Sequence, residues 1–240
     1  MNIAGSNVLI VNADDFGQSA GVNCGVIRAH EHGIVTSASL MVRWPAAEEA
    51  ASYARTHPAL SVGLHLDFGE WACRDGDWSP LYRVVDTCDA AAVREEVERQ
   101  LSEFRRLLGR EPTHIDSHQH AHLQEPVRTI VVAAASGLGI PVRRCSAAQY
   151  CGDFYGQGEG GWPYPEGITV ASLLTILERL PGGMTELCCH PGEGDDLDSM
   201  YRLERSTEAE ALCDPRVAQA IDASAIQLVG FARYRELAGN

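Results

Sequence analysis

The sequence predicts an α/β fold, an irregular (β/α) barrel, on three observations. Short runs rich in Val, Ile and Leu alternate with longer stretches of helical period, the pattern of parallel strands joined by crossover helices. Seven such units follow one another without an obvious linker. Residue types able to do chemistry cluster after the apolar runs, where strand ends build the site in both barrels and doubly wound sheets. A doubly wound open sheet is the alternative.

Taken in order, Val8-Leu9-Ile10-Val11 marks a buried strand over Asn7–Asn12, and Asp14-Asp15-Phe16-Gly17 leads from it towards a helix at Ala20–His32. A strand at Ser37–Val42 precedes a helix at Ala46–Thr56, and one at Ser61–Leu66 carries His65. The helical period of Ala91–Leu108 leads to a strand at His114–Ser117, then a helix at Pro126–Ser136 with proline at its start, where its missing N–H is harmless. A short strand at Pro141–Arg143 precedes Gly152–Gly167, which has little period and reads as a loop. A helix at Val170–Arg179, a strand at Glu186–Cys189, a helix at Glu208–Ile221 broken before Pro215, and a strand at Ile226–Phe231 complete the chain. At 240 residues the expectation is one catalytic domain over 1–240.

Composition narrows the function. A formal charge of −14 disfavours nucleic acid and anionic membrane as partners, since both need a basic surface. The first apolar run is too short for a signal-peptide core or a membrane span, so a cytoplasmic location is expected. A homodimer is left open. Eight cysteines are scattered without C-x-x-C spacing, which excludes a zinc ribbon. Cys188-Cys189, in an apolar run, reads as a pair of small buried hydrophobes.

Adjacent carboxylates at Asp14-Asp15 repel unless something positive lies beside them; a capped turn is the bland alternative. His65, between two leucines, is alone more readily a core residue than a ligand. The segment H-I-D-S-H-Q-H-A-H at 114–122 is more pointed, because His114, Asp116, His118, His120 and His122 share one parity and any extended portion turns them to one face. One carboxylate with two imidazoles can hold a catalytic divalent ion, which polarises a carbonyl and lowers the pKa of a bound water. A second carboxylate can then serve as base, and His190, before Pro191-Gly192, as proton donor. The chain contains no G-x-S-x-G, H-E-x-x-H, P-loop or dinucleotide fingerprint.

Together L-I-V-N-A-D-D-F-G at 9–17, G-I-V-T-S-A-S at 33–39, G-L-H-L at 63–66, P-T-H-I-D-S-H-Q-H-A-H at 112–122 and C-H-P-G at 189–192 resemble the YdjC-like (ChbG/HpnK) carbohydrate deacetylases, in order from about residue 7 to about residue 235. The resemblance implies a distorted barrel related to polysaccharide deacetylases, a divalent metal, and removal of an N-acetyl group from an amino sugar. It implies Asp15, His65 and His118 as metal ligands, Asp14 as general base, His190 as acid, and Arg143 as the arginine that orients a carboxylate or the acetyl oxygen. Asp116 is then a partner to a ligating imidazole, and His120 and His122 are expected to line the sugar site. After G-L-H-L the chain reads D-F-G-E-W and departs from the family's more usual leucine- and threonine-containing continuation.

The leading expectation is therefore a metal-dependent carbohydrate N-deacetylase acting on an N-acetylated amino sugar or glycoconjugate. Two histidines favour zinc, with magnesium as the alternative. Another metal-dependent amidohydrolase or phosphodiesterase, or a non-catalytic sugar- or metal-binding protein, are the rivals. Trp71, Trp78, Trp162 and Tyr164, read as loop residues, are candidates for stacking on a sugar ring.

Overall fold

The computed structural model describes residues 7–74 and 76–239. In chain order the elements are β1 (Asn7–Phe16), α1 (Ala20–Glu31), β2 (Ser37–Leu40), α2 (Ala47–Thr56), β3 (Ser61–Leu66), β4 (Gly69–Arg74), β5 (Asp77–Arg83), α3 (Ala90–Leu108), β6 (Ile115–Ser117), α4 (Val127–Leu138), β7 (Gln149–Cys151), α5 (Val170–Glu178), β8 (Gly183–Cys189), α6 (Glu204–Leu212), α7 (Pro215–Ala223), β9 (Gln227–Leu228) and α8 (Tyr234–Ala238).

Seven strands form one parallel sheet in the order β6-β3-β2-β1-β8-β7, with β9 also on β1. At one edge Ile115 of β6 bridges to Val142. At the other edge Gln149 pairs with Thr185 of β8. Residues 144–148 join the two edges, and so short a connection, reaching at most about 3.6 Å per residue, requires the sheet to curl. The result is the irregular barrel expected, with helices packed outside. Leu9, Val11, Val62, Leu64, Ile115 and Leu187 are fully buried, as the near-continuous apolar runs of a parallel sheet demand.

Local chemistry sets the element ends. Ser19 Oγ accepts the Val22 N–H at the start of α1, Asp89 caps α3, and Gly109 at φ 66 ends it. Asp214 caps α7 ahead of Pro215, so the expected break is real, although the first of the two helices begins at Glu204 instead of Glu208. Gly25 of α1 lies against the H-P-G turn so closely that a Cβ there would stand 2.3 Å from Gly192 Cα.

Other expectations need correction. Gly69–Arg83 is an antiparallel hairpin and not loop, so Trp71 and Trp78 sit on strands. Its residues are mostly half-buried or exposed and lack the apolar run that marks a central strand. β1 continues four residues past Asn12, and β7 was not anticipated, being three residues long. The expected strand at Ile226–Phe231 contracts to Gln227–Leu228, with Phe231 opening a 3₁₀ turn. No helix among the described residues is long and apolar enough to cross a membrane.

Candidate active site and metal centre

The C-terminal ends of β1, β3, β6 and β8 surround a cavity of about 1140 Å³. Asp14 and Asp15 both line it, which a regular strand would forbid because successive side chains alternate. Asp15 adopts φ 64, and the pairing with β2 slips between Ala13 and Phe16. That irregularity turns two neighbouring carboxylates towards one space.

Each aspartate has its own arginine. Arg143, fully buried, donates Nη1 to Asp14 Oδ2 at 2.6 Å and Nη2 to Asp14 Oδ1 at 2.7 Å. Arg205, from the first turn of α6, donates Nη2 to Asp15 Oδ2 at 2.7 Å. Burial opposes ionisation of both carboxyls, but Arg143 holds Asp14 below the usual range, and Arg205 with His118 holds Asp15 well below it. The positive charge that the Asp-Asp pair requires is thus built in, and at Asp15 it lies on the oxygen opposite the histidines.

Those histidines converge on the other face of Asp15. His65 Nε2 lies 3.3 Å and His118 Nδ1 3.1 Å from the same oxygen, Asp15 Oδ1. Asp15, His65 and His118 offer one ligand atom each within 4.8 Å of one another. The outer nitrogens meet carboxylates as well: His65 Nδ1 donates to Asp116 Oδ1 at 2.7 Å, and His118 Nε2, without a hydrogen bond, faces Glu70 Oε2 at 3.5 Å. Burial works against charging either ring. The Asp116 and Asp14 charges nevertheless lift His65 to about 10, and Asp15 lifts His118 to about 9. The pocket therefore demands positive charge at this point, as two protons or as a divalent ion that replaces them. Two imidazoles and one carboxylate with open positions form a donor set for such an ion.

A polar layer supports the ligands. Ser39 Oγ donates to Asp116 Oδ2 at 2.7 Å, and Asn12 Nδ2 donates to Asp14 Oδ1 at 2.9 Å and Ser39 Oγ at 2.8 Å. Arg143 Nη2 also reaches Asp116 Oδ2 at 2.8 Å. His114, pushed down to about 4 by burial, is neutral; it stacks on Phe231 and bonds Ser39. Gly63 leaves room for it, since a Cβ would stand 2.4 Å from the His114 ring.

His190 follows β8. Its Nε2 lies 3.9 Å from Asp14 Oδ2, its Nδ1 lies 3.7 Å from Glu208 Oε1, and its backbone N–H donates to Glu208 Oε2. Tyr201 Oη also donates to Glu208, and the stacked Tyr155 and Tyr201 rings pack together against the imidazole. Arg205 and Glu208 stand three residues apart on α6 and serve Asp15 and His190 respectively.

The structure thus brings Asp14, Asp15, His65, His118 and His190 to one cavity, with Asp116 behind them. Arg143 does not reach the cavity wall: it orients Asp14, and of the two roles implied for it, only carboxylate orientation fits its position. His120 lines the cavity and touches Tyr150 Oη at 3.1 Å. His122 does not line the sugar site as expected. It is fully buried, with Nδ1 2.7 Å from Ser117 Oγ and Nε2 3.2 Å from the Arg143 carbonyl oxygen. The parity reading of 114–122 fails beyond Ser117 because Gln119 and His120 take φ 49 and 55 and end the extended chain. Trp71 and Trp78 line the cavity, whereas Trp162 and Tyr164 do not. Arg205, Glu208 and Glu70 were not candidates from sequence. They are single charges in segments that read as solvated, and no spacing distinguishes them.

A family model described as YdjC-like protein matches residues 8–223. A carbohydrate deacetylase of Geobacillus stearothermophilus is 32% identical over 95% of this chain and 98% of its own length. A chitooligosaccharide deacetylase of Serratia marcescens is 33% identical over 89% and 94%. Among solved structures, an Enterococcus faecalis V583 protein provisionally named a cellobiose-phosphate cleavage protein superposes with a TM-score of 0.80 at 26% identity, covering 96% of this chain and 99% of that one. A family 4 carbohydrate esterase from Streptomyces lividans shares the fold, with a TM-score of 0.55 at 14% identity over 95% and 92%. The motif order, the barrel and the family match over residues 8–223 agree: the chain belongs to the YdjC-like protein family.

Proposed function

We propose that this chain is a metal-dependent carbohydrate N-deacetylase, a single catalytic domain that removes the acetyl group from an N-acetylated amino sugar, oligosaccharide or glycoconjugate. The observation that carries the reading is the convergence of Asp15, His65 and His118 on one point, with Asp14 and His190 beside it at the same cavity. The relatives named carbohydrate and chitooligosaccharide deacetylase support the substrate class.

Asp15, His65 and His118 would hold a divalent ion, zinc in preference to magnesium on the strength of two imidazoles. Such an ion supplies Lewis acidity towards the amide carbonyl and makes a water more acidic. Asp14, kept ionised by Arg143, takes the proton of the attacking water. His190 donates a proton to the departing amine from Nε2, the nitrogen that faces Asp14. Glu208 lies on the Nδ1 side at 3.7 Å and also accepts the His190 backbone N–H, which orients the ring. Free cysteines throughout the described residues suit a reducing compartment such as the cytoplasm.

Acetate release from a panel of N-acetylated sugars, compared between the reconstituted protein and His118→Ala, tests this. Release that the variant abolishes supports it. Metal bound without release by either protein would leave a binding protein.

A further inference from the structure

Cys188 has no place in the reaction above. The sequence treats it and Cys189 alike, but alternation along β8 separates them. Cys189 Sγ points to the Asn12 carbonyl oxygen at 3.4 Å, away from the cavity, while Cys188 lines the cavity wall. There its Sγ stands 3.4 Å from Asp14 Oδ2 and 3.8 Å from His190 Nε2, and these two are 3.9 Å apart. A thiol, a carboxylate and an imidazole from β1, β8 and the turn after it therefore face one point.

We propose that Asp14, Cys188 and His190 form a second cation site, selective for a soft or borderline divalent ion such as zinc or cadmium, whose occupation inhibits the enzyme. The donor set decides the selectivity. Thiolate with imidazole favours zinc and cadmium, whereas magnesium prefers an oxygen shell. Binding displaces the thiol proton to solvent, with the Nε2 proton of any His190 ring that carries one, as the sulfur–metal bond forms. Asp14 Oδ2 can serve both Arg143 and the ion, because a carboxylate oxygen has two lone pairs. Arg143 engages both oxygens of Asp14, whereas Arg205 leaves Asp15 Oδ1 to the histidines, which ranks this site below the Asp15–His65–His118 centre in affinity. The inhibition rests on the proposed function: an ion held by Asp14 and His190 occupies the atoms that take and give protons.

Cadmium titration tests binding without reference to catalysis, with bound metal read by equilibrium dialysis and the thiolate-to-cadmium charge-transfer band read in the ultraviolet. The native protein is expected to bind one more equivalent than Cys188→Ala or Cys188→Ser, with a correspondingly stronger band. His118→Ala should keep that part of the band while losing the other site, and His190→Ala should weaken it. Equal stoichiometry and equal bands in the native protein and both Cys188 variants would overturn the site. For inhibition, each protein serves as its own reference. Acetate release at several equivalents of zinc, relative to release at one equivalent, should fall at least tenfold in the native protein and stay level in Cys188→Ser. A matching fall in both would overturn the inhibitory role. Absence of acetate release from every sample would refute the deacetylase reading, and the cadmium result would still decide the site.

Discussion

Arg143 grips Asp14 through two bonds of 2.6 and 2.7 Å while wholly excluded from solvent. The same guanidinium meets Asp116 at 2.8 Å and Glu186 at 2.7 Å, so a single cation serves three buried carboxylates. Arg143→Met removes the guanidinium from all three and leaves Asp116 with His65 as its charged partner. Loss of one side of a buried ion pair costs about 3–5 kcal/mol, and a misplaced base lowers the rate by about 100-fold. Arg143→Lys restores charge without the planar fork. It should therefore regain part of the stability and little of the rate, as denaturant unfolding and acetate release would show.

Arg205 and the proposed metal centre share Asp15. In Arg205→Met a buried carboxylate loses its guanidinium partner, which destabilises the metal-free protein by about 3 kcal/mol or more. A divalent ion at Asp15, His65 and His118 would compensate part of that loss. The rise in melting temperature on adding zinc should consequently be larger in Arg205→Met than in the native protein. An equal or smaller rise would mean that Arg205 does not act through Asp15.

The contrast between these two arginines shows what a sequence makes readable. Arg143 is legible through the family resemblance, whereas Arg205 lies in R-L-E-R-S-T-E, ahead of the helix expected at Glu208–Ile221, where no motif marks it. The parallel strands and their helices were legible because burial on both faces imposes apolar runs and a helical period. The β4–β5 hairpin was not, because it covers the cavity from outside and carries a mixed pattern. The candidate ligands Asp15, His65 and His118 stand out through the family resemblance, because they sit at strand ends inside its contiguous motifs. Their supports on α6 and β4 come from far along the chain as isolated charges, and only the fold brings Glu70 to His118 or Glu208 to His190.

Glu186 makes a pH prediction. Burial and the charge of Asp116 outweigh Arg143 and raise its carboxyl from 4.5 to about 7. Below pH 4.5 both folded and unfolded chains hold the proton, and its stabilising effect is complete. As pH rises towards and through 7 the unfolded chain sheds the proton first, so stability is lost by about 3 kcal/mol. Asp14, Asp15 and Asp116, shifted down, act at lower pH; His65 and His118, raised to about 10 and 9, also lose stabilisation as pH rises above about 6.5, a slope that native protein and Glu186→Gln share. Between pH 5 and 8, melting temperatures measured in chelator should fall more steeply for the native protein than for Glu186→Gln. Parallel curves would show that Glu186 ionises normally.

The hairpin makes a prediction about substrate length. Trp71 and Trp78 are 42% and 53% exposed and line the cavity, and their partners Pro80 and Cys73 place both on one face of the hairpin. Gln119, next to the metal-ligand candidate His118, accepts the Trp71 N–H at 2.9 Å and donates to its carbonyl oxygen at 2.8 Å, and so ties that face to the centre. The indoles are therefore held beside the reacting position, where they can stack on the sugar ring next to the one deacetylated. Stacking contributes about 0.5–1.5 kcal/mol, so Trp71→Ala should raise KM for an N-acetylated oligosaccharide roughly 2- to 10-fold. kcat should be little changed, and the monosaccharide, which lacks the neighbouring ring, should be unaffected. Trp162→Ala, outside the cavity wall, is the control and should leave both constants unchanged. An equal loss on monosaccharide and oligosaccharide would mean that Trp71 supports the centre through Gln119 and contacts no second sugar.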